Sequence, residues 1–156
     1  MDWLKKISSY FYKYRVAVLI ICASGLVLVT VSLLLTKTDW RTLQAGTCTF
    51  EVEAVSSAAK QYQGLSGRQS LAANRGMLFL YEQPQDLSFV MRNMNFPLDI
   101  IFIRDHRIIN LYRDLAPEGA TPTISYHSGA LADTVLEIPA GRSQECGLGV
   151  NSEIFW

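Results

Sequence analysis

Charged and amide side chains cluster around one proline-containing turn, and their chemistry suits a binding site. Arg92 stands among apolar neighbours in the segment SFVMRNMNFPLDIIFI, a costly place for a cation unless it is paired or bound. Guanidinium groups hold carboxylates and other polar groups through paired hydrogen bonds. We therefore predict a site for a small polar or anionic ligand, formed by four residues: Arg68, Arg92, Asn93 and Asp99.

A structural interpretation of the same residues needs no ligand. Arg92 and Asp99 would then form a partly buried ion pair, and Asn93 and Asn95 would satisfy the backbone of the turn. Removing Arg92 would leave Asp99 charged and unpaired, at a cost of about 3–5 kcal/mol. The sequence leaves both interpretations open.

Carboxylates that could support general acid–base catalysis define an alternative function, an envelope-acting hydrolase. Such an enzyme would use Asp99 with Glu137 or Tyr126, and the two groups would have to meet in one cleft with one raised pKa. The segment GLSG misses the G-x-S-x-G spacing of a serine nucleophile. The two histidines lack the spacing of metal ligands. We therefore predict no catalytic residue, no metal site and no cofactor.

Two cysteines, Cys48 and Cys146, follow the N-terminal region. Paired cysteines outside the cytoplasm tend to oxidise. A bridge requires Cα atoms within about 7 Å of each other, which a sequence alone does not establish. A disulfide and two buried thiols therefore both stay open.

An N-terminal apolar segment determines where these residues lie in the cell. Residues 16–35 read VAVLIICASGLVLVTVSLLL, without a charge, and a helix of this length spans roughly 30 Å of hydrocarbon. A signal peptide has a shorter apolar stretch of about 7–15 residues and a small-residue cleavage motif. The segment therefore predicts one transmembrane helix over 16–35, retained as an anchor.

The charges beside this segment predict its orientation. Four cations precede it, whereas Lys37 and Arg41 on the other side are offset by Asp39. Cytoplasmic flanks carry the excess of lysine and arginine. We expect a cytoplasmic tail over 1–15 and a single span in the cell membrane. A linker over 36–46 and a periplasmic or extracellular domain over 47–156 would follow.

The charge of the domain restricts its partners. Residues 41–156 carry nine lysines and arginines against twelve acidic residues, and Lys60 is the single lysine among them. Binding to nucleic acid needs a basic face, so this balance argues against a nucleic acid partner. The expected partners are the membrane and either an envelope protein or a small polar ligand.

Short apolar or alternating segments, separated by turns, make up the domain. Strands are predicted over 47–55, 77–81, 88–94, 98–103, 107–112, 134–138 and 153–156. Short helices are predicted over 58–63, 70–74 and 139–147. This pattern predicts a mainly β fold: a compact jelly-roll-like sandwich or barrel with short helices, preceded by the transmembrane helix.

Four segments of the domain resemble the domain-of-unknown-function 192 family. They are GLSGRQSL (64–71), RGMLFLY (75–81), SFVMRNMNFPLDIIFI (88–103) and VLEIPAGRSQECGLGV (135–150). The resemblance implies a compact jelly-roll-like β structure and frequent export from the cytoplasm, but no activity. The chain departs from the family at Val90, where members often have tryptophan, and at Asn151 and Ser152, where an acidic residue is common.

Overall fold

The computed structural model describes residues 18–22, 27–31 and 38–156. The chain divides into two units, Met1–Lys37 and Thr38–Trp156. In the first unit, β1 (Val18–Cys22) pairs antiparallel with β2 (Val27–Val31). None of the helices within the described residues is long and apolar enough to cross a membrane.

A transmembrane helix is predicted over 16–35, but the structure has β1 and β2 in part of that range. Both strands are rich in valine and isoleucine or threonine, and β-branched residues suit a strand as well as an apolar helix. The other residues of that range and the predicted tail over 1–15 lie outside the described residues. The anchor therefore stays a prediction.

Most strands of the second unit form one seven-stranded sheet. They are β3 (Asp39–Ala45), β4 (Cys48–Val55), β5 (Arg75–Gln85), β7 (Leu98–Arg104), β8 (Arg107–Leu115), β10 (Ala132–Pro139) and β11 (Ile154–Phe155). Their order across the sheet is β11-β3-β4-β5-β10-β7-β8. The β4–β5 pair is parallel, and the other pairs are antiparallel. This sheet confirms the predicted mainly β fold.

Smaller elements lie outside this sheet. Strands β6 (Ser88–Phe89) and β9 (Tyr126–His127) form a two-stranded antiparallel sheet. Helix α1 (Ala58–Gln63) has the predicted bounds, and α2 (Arg142–Glu145) is shorter than predicted.

The seven-stranded sheet curls into a half-barrel, because its edges meet at one end. The backbone N–H of Ile108 in β8 donates to the carbonyl of Ser152 at 2.9 Å, and the N–H of Asn151 donates to the carbonyl of Ile108 at 2.8 Å. The N–H of Ile154 in β11 donates to the carbonyl of His106 at 2.9 Å. These bonds connect β8 and the segment that leads into β11, which are the two edges of the sheet.

The curl gives the sheet two buried faces, each with its own apolar cluster. The inner face carries residues from both edge strands, Ile108 of β8 and Ile154 of β11, together with Leu43 of β3. The outer face carries a second cluster that includes Phe79 and Phe102. Side chains alternate between the faces along each strand, so neighbouring residues can have unrelated environments.

Strand β3 corrects the predicted linker over 36–46. Asp39–Ala45 pair with β4 over their whole length, and Leu43 and Ala45 are fully buried. The apolar residues of this segment, Trp40, Leu43 and Ala45, do not alternate regularly, so it resembles a polar linker until its pairing is known. Gly46 makes the turn into β4 with φ +57°, and a Cβ there would lie 2.0 Å from the carbonyl oxygen of Cys146.

Three other predictions needed correction in the middle of the domain. The short helix expected over 70–74 does not form, and these residues belong to a loop and turn before β5. The turn expected over 82–86 is absent because β5 continues through Pro84 to Gln85, at a position where the neighbouring β10 has a register shift. The strand expected over 88–94 is limited to β6, and its later residues form a loop. That loop packs its apolar residues onto the outer face, including Met91 and Met94.

Cys48 and Cys146 are joined in a disulfide, with their Cα atoms 5.4 Å apart. Cys48 begins β4, and Cys146 is fully buried directly after α2. The backbone N–H of Thr47 also donates to the carbonyl of Cys146 at 3.1 Å. The bond therefore ties the first hairpin of the domain to a segment near its C-terminus.

Candidate functional site

A cavity of about 310 Å³ lies on the outer face of the sheet. It is lined by α1 and the residues that follow it, by two residues of β5, by the segment that begins with β6, and by one residue of β10. Phe79 and Phe89 form an apolar wall, where their rings meet edge-on with centroids 4.9 Å apart. Its size falls at the lower end of the roughly 300–1,000 Å³ typical of ligand sites.

Glu137 places a carboxyl group on this cavity from the middle of β10. Val135 beside it belongs to the outer cluster, whereas Leu136 and Ile138 belong to the inner cluster. The alternation therefore directs Glu137 outward. The residue is 6% exposed, and its carboxyl oxygens are not among the enclosed, unpartnered side-chain atoms of residues 38–156, which are Glu118 Oε2 and Arg142 Nε.

Burial changes the acidity of this carboxyl group. Desolvation raises the pKa of Glu137 from 4.5 to about 8, and the positive charge of Arg68 opposes part of that rise. The group is therefore mainly protonated at neutral pH. A neutral carboxylic acid both donates and accepts hydrogen bonds, so Glu137 can pair with either kind of ligand atom.

Tyr81 adds a phenol group to the same cavity. Along β5 it points to the same face as Met77 and Phe79, and both of these residues lie in the outer cluster. Burial, and then the negative charge of Glu137, raise the pKa of Tyr81 to about 12. Tyr81 thus keeps its proton and remains a hydrogen-bond donor.

Arg92 and Tyr62 form the side of the cavity next to α1. The Arg92 guanidinium donates to the backbone carbonyl of Tyr62 at 2.6 Å and lies 3.9 Å above the Tyr62 ring. Gln61 donates its side-chain N–H to the carbonyl of Leu80 at 2.9 Å. Helix α1 contains no buried residue, so these contacts hold it in place over the cavity.

Arg68 lies beside the cavity and is already paired. Its guanidinium contacts the carboxylate of Glu53 at 2.6 Å. Glu53 in β4 and Glu137 in β10 both lie opposite Met77 of β5, on the same face of the sheet. Arg68 thus couples electrostatically to Glu137 while it neutralises Glu53.

Asn93 supports the loop through its backbone. It adopts φ 51°, and its N–H donates to the carbonyl of Gly119 at 3.1 Å. Its carbonyl accepts from the N–H of Gly67 at 2.9 Å. The first bond connects the loop that carries Arg92 to the loop after β8, and the second connects it to the segment that carries Arg68.

Asp99 lies away from the cavity, on the inner face of the sheet. It is fully buried and shares the parity of Ile101, a member of the inner cluster. Its carboxylate accepts backbone N–H groups of Asp114 at 2.9 Å, Gly141 at 3.1 Å and Ser143 at 2.8 Å. Asp99 therefore organises the backbone around α2.

The four predicted site residues thus separate into two places. Arg92 lines the cavity, with Arg68 and Asn93 nearby, whereas Asp99 faces the other side of the sheet. Arg92 contacts Tyr62 where the alternative interpretation expects an ion pair with Asp99. The sequence could not indicate this separation, because it does not show to which face of the sheet the Asp99 side chain points.

The same separation bears on the predicted hydrolase. Asp99 and Glu137 lie on adjacent strands, where Asp99 is opposite Ile138 and Ile100 is opposite Glu137, but their side chains face opposite sides. Tyr126 packs against the outer cluster. Within residues 38–156, no three histidine, cysteine or acidic side chains come together as metal ligands.

Sequence reasoning gave Glu137 only a secondary role, and it did not include Tyr81 or Tyr62. A signal for Glu137 was present: it is the one charged residue in the segment VLEIP, which otherwise reads as a buried strand. A carboxyl in such a strand needs a partner, a cavity or a raised pKa.

Comparisons with known proteins agree with this fold. The sequence profile of the family described as DUF192, Uncharacterized ACR, matches residues 41–156. A crystal structure of a protein of unknown function from Novosphingobium aromaticivorans has a TM-score of 0.69 and 28% identity, covering 78% of this chain and 89% of that one. No curated protein matches the chain.

A second similar structure is named a putative transcription regulator, from Sinorhizobium meliloti. It has a TM-score of 0.70 and 23% identity, and the match covers 76% of this chain and 94% of that one. At this identity the likeness concerns the fold alone.

Proposed function

Because this chain belongs to the DUF192 family through residues 41–156, a family whose description gives no activity, we propose a function from its own geometry. The protein is a membrane-anchored module outside the cytoplasm that binds a small polar ligand. The ligand occupies the cavity beneath α1, with Glu137 at its floor.

The buried carboxyl of Glu137 is the observation that carries the binding proposal. It is 6% exposed and faces a cavity. A ligand in the cavity can form hydrogen bonds with this carboxyl, each worth about 0.5–1.5 kcal/mol net. Phe79, Phe89 and Tyr81 add apolar surface for the rest of the ligand.

The disulfide and the N-terminal segment support the location. Disulfides such as Cys48–Cys146 persist mainly in oxidising compartments. The uncharged segment over 16–35 is long enough to span a membrane as a helix, and the four cations before it favour a cytoplasmic N-terminus. We therefore place the domain in the periplasm or outside the cell.

Other functions receive less support. A hydrolase that combined Asp99 with Glu137 would need both carboxyl groups in one cleft, but they face opposite sides of the sheet. The name of the Sinorhizobium structure refers to transcription. Residues 41–156 of this chain have more acidic than basic residues and a single lysine, which does not favour DNA binding.

Native mass spectrometry of the purified full chain tests the binding proposal. Wild type should retain a small molecule that denaturation releases, and Glu137→Leu should not, because leucine fills a similar space without hydrogen bonds. Glu82→Leu is the matched control, since Glu82 lies on β5 but is exposed and outside the cavity. Identical spectra for wild type and Glu137→Leu would contradict the proposal.

A further inference from the structure

The groups around the Glu137 cavity restrict the charge of the ligand, an inference that rests on the proposed function. A cation would meet the Arg92 guanidinium at the side of the cavity and the charge of Arg68 near its floor. An anion would compete with the carbonyl and ring of Tyr62 for the Arg92 guanidinium, and Arg68 is already paired with Glu53. A neutral ligand meets neither obstacle.

The polar groups of the cavity fit a ligand that both donates and accepts hydrogen bonds. The Glu137 carboxyl in its neutral form and the Tyr81 phenol each have a donor and an acceptor. Ser88 adds a hydroxyl group to the lining. Ligand hydroxyls can satisfy all of these groups, because a hydroxyl donates one hydrogen bond and accepts others.

The remaining walls favour a ligand with a flat apolar face. Phe79 and Phe89 are held in an edge-to-face pair, and the Phe89 ring also meets Phe102 edge-on at 5.8 Å. These contacts fix the orientation of the aromatic wall. Aromatic side chains provide large apolar contact surfaces of defined geometry, and the C–H face of a pyranose ring is a matching surface.

We infer that the cavity binds a neutral, hydroxyl-bearing ligand of about the size of one sugar ring. Its hydroxyl groups pair with Glu137 and Tyr81, and its C–H face lies against Phe79 and Phe89. The cavity volume of about 310 Å³ sets the limit on size. Arg92 and Tyr62 line the site on the side of α1.

Amide NMR of the full chain tests this class of ligand, in an amine-oxide detergent that carries no sugar group. Three probes of different charge are compared: methyl α-D-glucopyranoside, acetate and tetramethylammonium. The glycoside should shift the amide signals of Tyr81, Phe89 and Glu137. The two charged probes should leave those signals in place.

Two substitutions at Glu137 separate its hydrogen bonds from its charge. Glu137→Gln resembles the neutral acid in shape and keeps one donor and one acceptor, so it should bind the glycoside with an affinity of the same order. Glu137→Leu should weaken binding roughly 10- to 100-fold, because ligand hydroxyls lose their partners. Glu82→Leu should bind like wild type.

The outcomes distinguish the ligand class from the binding function. Shifts caused by acetate or tetramethylammonium, and not by the glycoside, would overturn the inference and leave the proposed function intact. Loss of glycoside binding in Glu137→Gln would also overturn it, because a charged carboxylate would then be required. The absence of shifts with all three probes would contradict the ligand class. If wild type also retained no molecule in native mass spectrometry, the proposed function would be contradicted too.

Discussion

Glu137 and Asp99 have different roles although they lie on adjacent strands. Asp99 is surrounded by three backbone N–H donors on the inner face, whereas Glu137 meets a cavity on the outer face. Three hydrogen bonds compensate the burial of Asp99, and protonation compensates the burial of Glu137. The face of the sheet to which each side chain points therefore decides which carboxyl is structural and which is available to a ligand.

The stability of variants at Arg92 and Asp99 follows from these contacts. Asp99→Ala should lower the free energy of unfolding by about 3 kcal/mol or more, because buried N–H groups lose their acceptor. Arg92→Ala should lower it by only about 1 kcal/mol, because it loses a half-exposed hydrogen bond and a contact with Tyr62.

The two residues have no contact with each other, so the double variant Arg92→Ala/Asp99→Ala should lose about the sum of the single losses. Chemical denaturation of the three variants and wild type measures this. A double variant more stable than Asp99→Ala would instead indicate an ion pair between Arg92 and Asp99.

The sequence predicted the elements better where side-chain pattern alone decides them. Phe50, Val52 and Ala54 alternate with polar residues and are buried as expected, and α1 has the predicted bounds. Strand β3 was missed because its identity depends on pairing with β4. The cavity could not be predicted either, since its lining comes from segments far apart in sequence.

The disulfide joins elements at opposite ends of the domain. Cys48 and Cys146 are 98 residues apart, and a bridge across so long a loop restricts the unfolded chain strongly. Replacing both cysteines with serine should lower the free energy of unfolding by about 3–5 kcal/mol. Denaturation with and without a reducing agent measures the effect. The reductant should destabilise wild type by a similar amount and leave the double variant unchanged; no effect on wild type would contradict this role.

At the scale of the whole molecule, the location of the domain follows from the proposed anchor. A reporter that is active only outside the cytoplasm should be active when fused after Trp156, because the cations before residue 16 favour a cytoplasmic N-terminus. The matched fusion carries a reporter that works only in the cytoplasm, and it should be silent. The reverse result would contradict the orientation and the oxidising environment of the disulfide.

The cavity floored by Glu137 is the centre of this account, and its acidity determines how stability depends on pH. Below the unfolded-state pKa of about 4.5, Glu137 is protonated in both the folded and the unfolded state, so its ionisation does not change the free energy of unfolding. As pH rises toward the folded-state pKa of about 8, the unfolded chain releases this proton and the folded chain retains it. Unfolding therefore becomes more favourable across this range, by on the order of several kcal/mol.

The most direct test compares the free energy of unfolding of wild type and Glu137→Gln from about pH 5 to about pH 9. All other titrating groups are common to both proteins, so the difference between the two curves reports on Glu137. We expect wild type to lose stability relative to Glu137→Gln as the pH rises through this range. Parallel curves would mean that the Glu137 carboxyl is solvated or paired, and they would contradict the account.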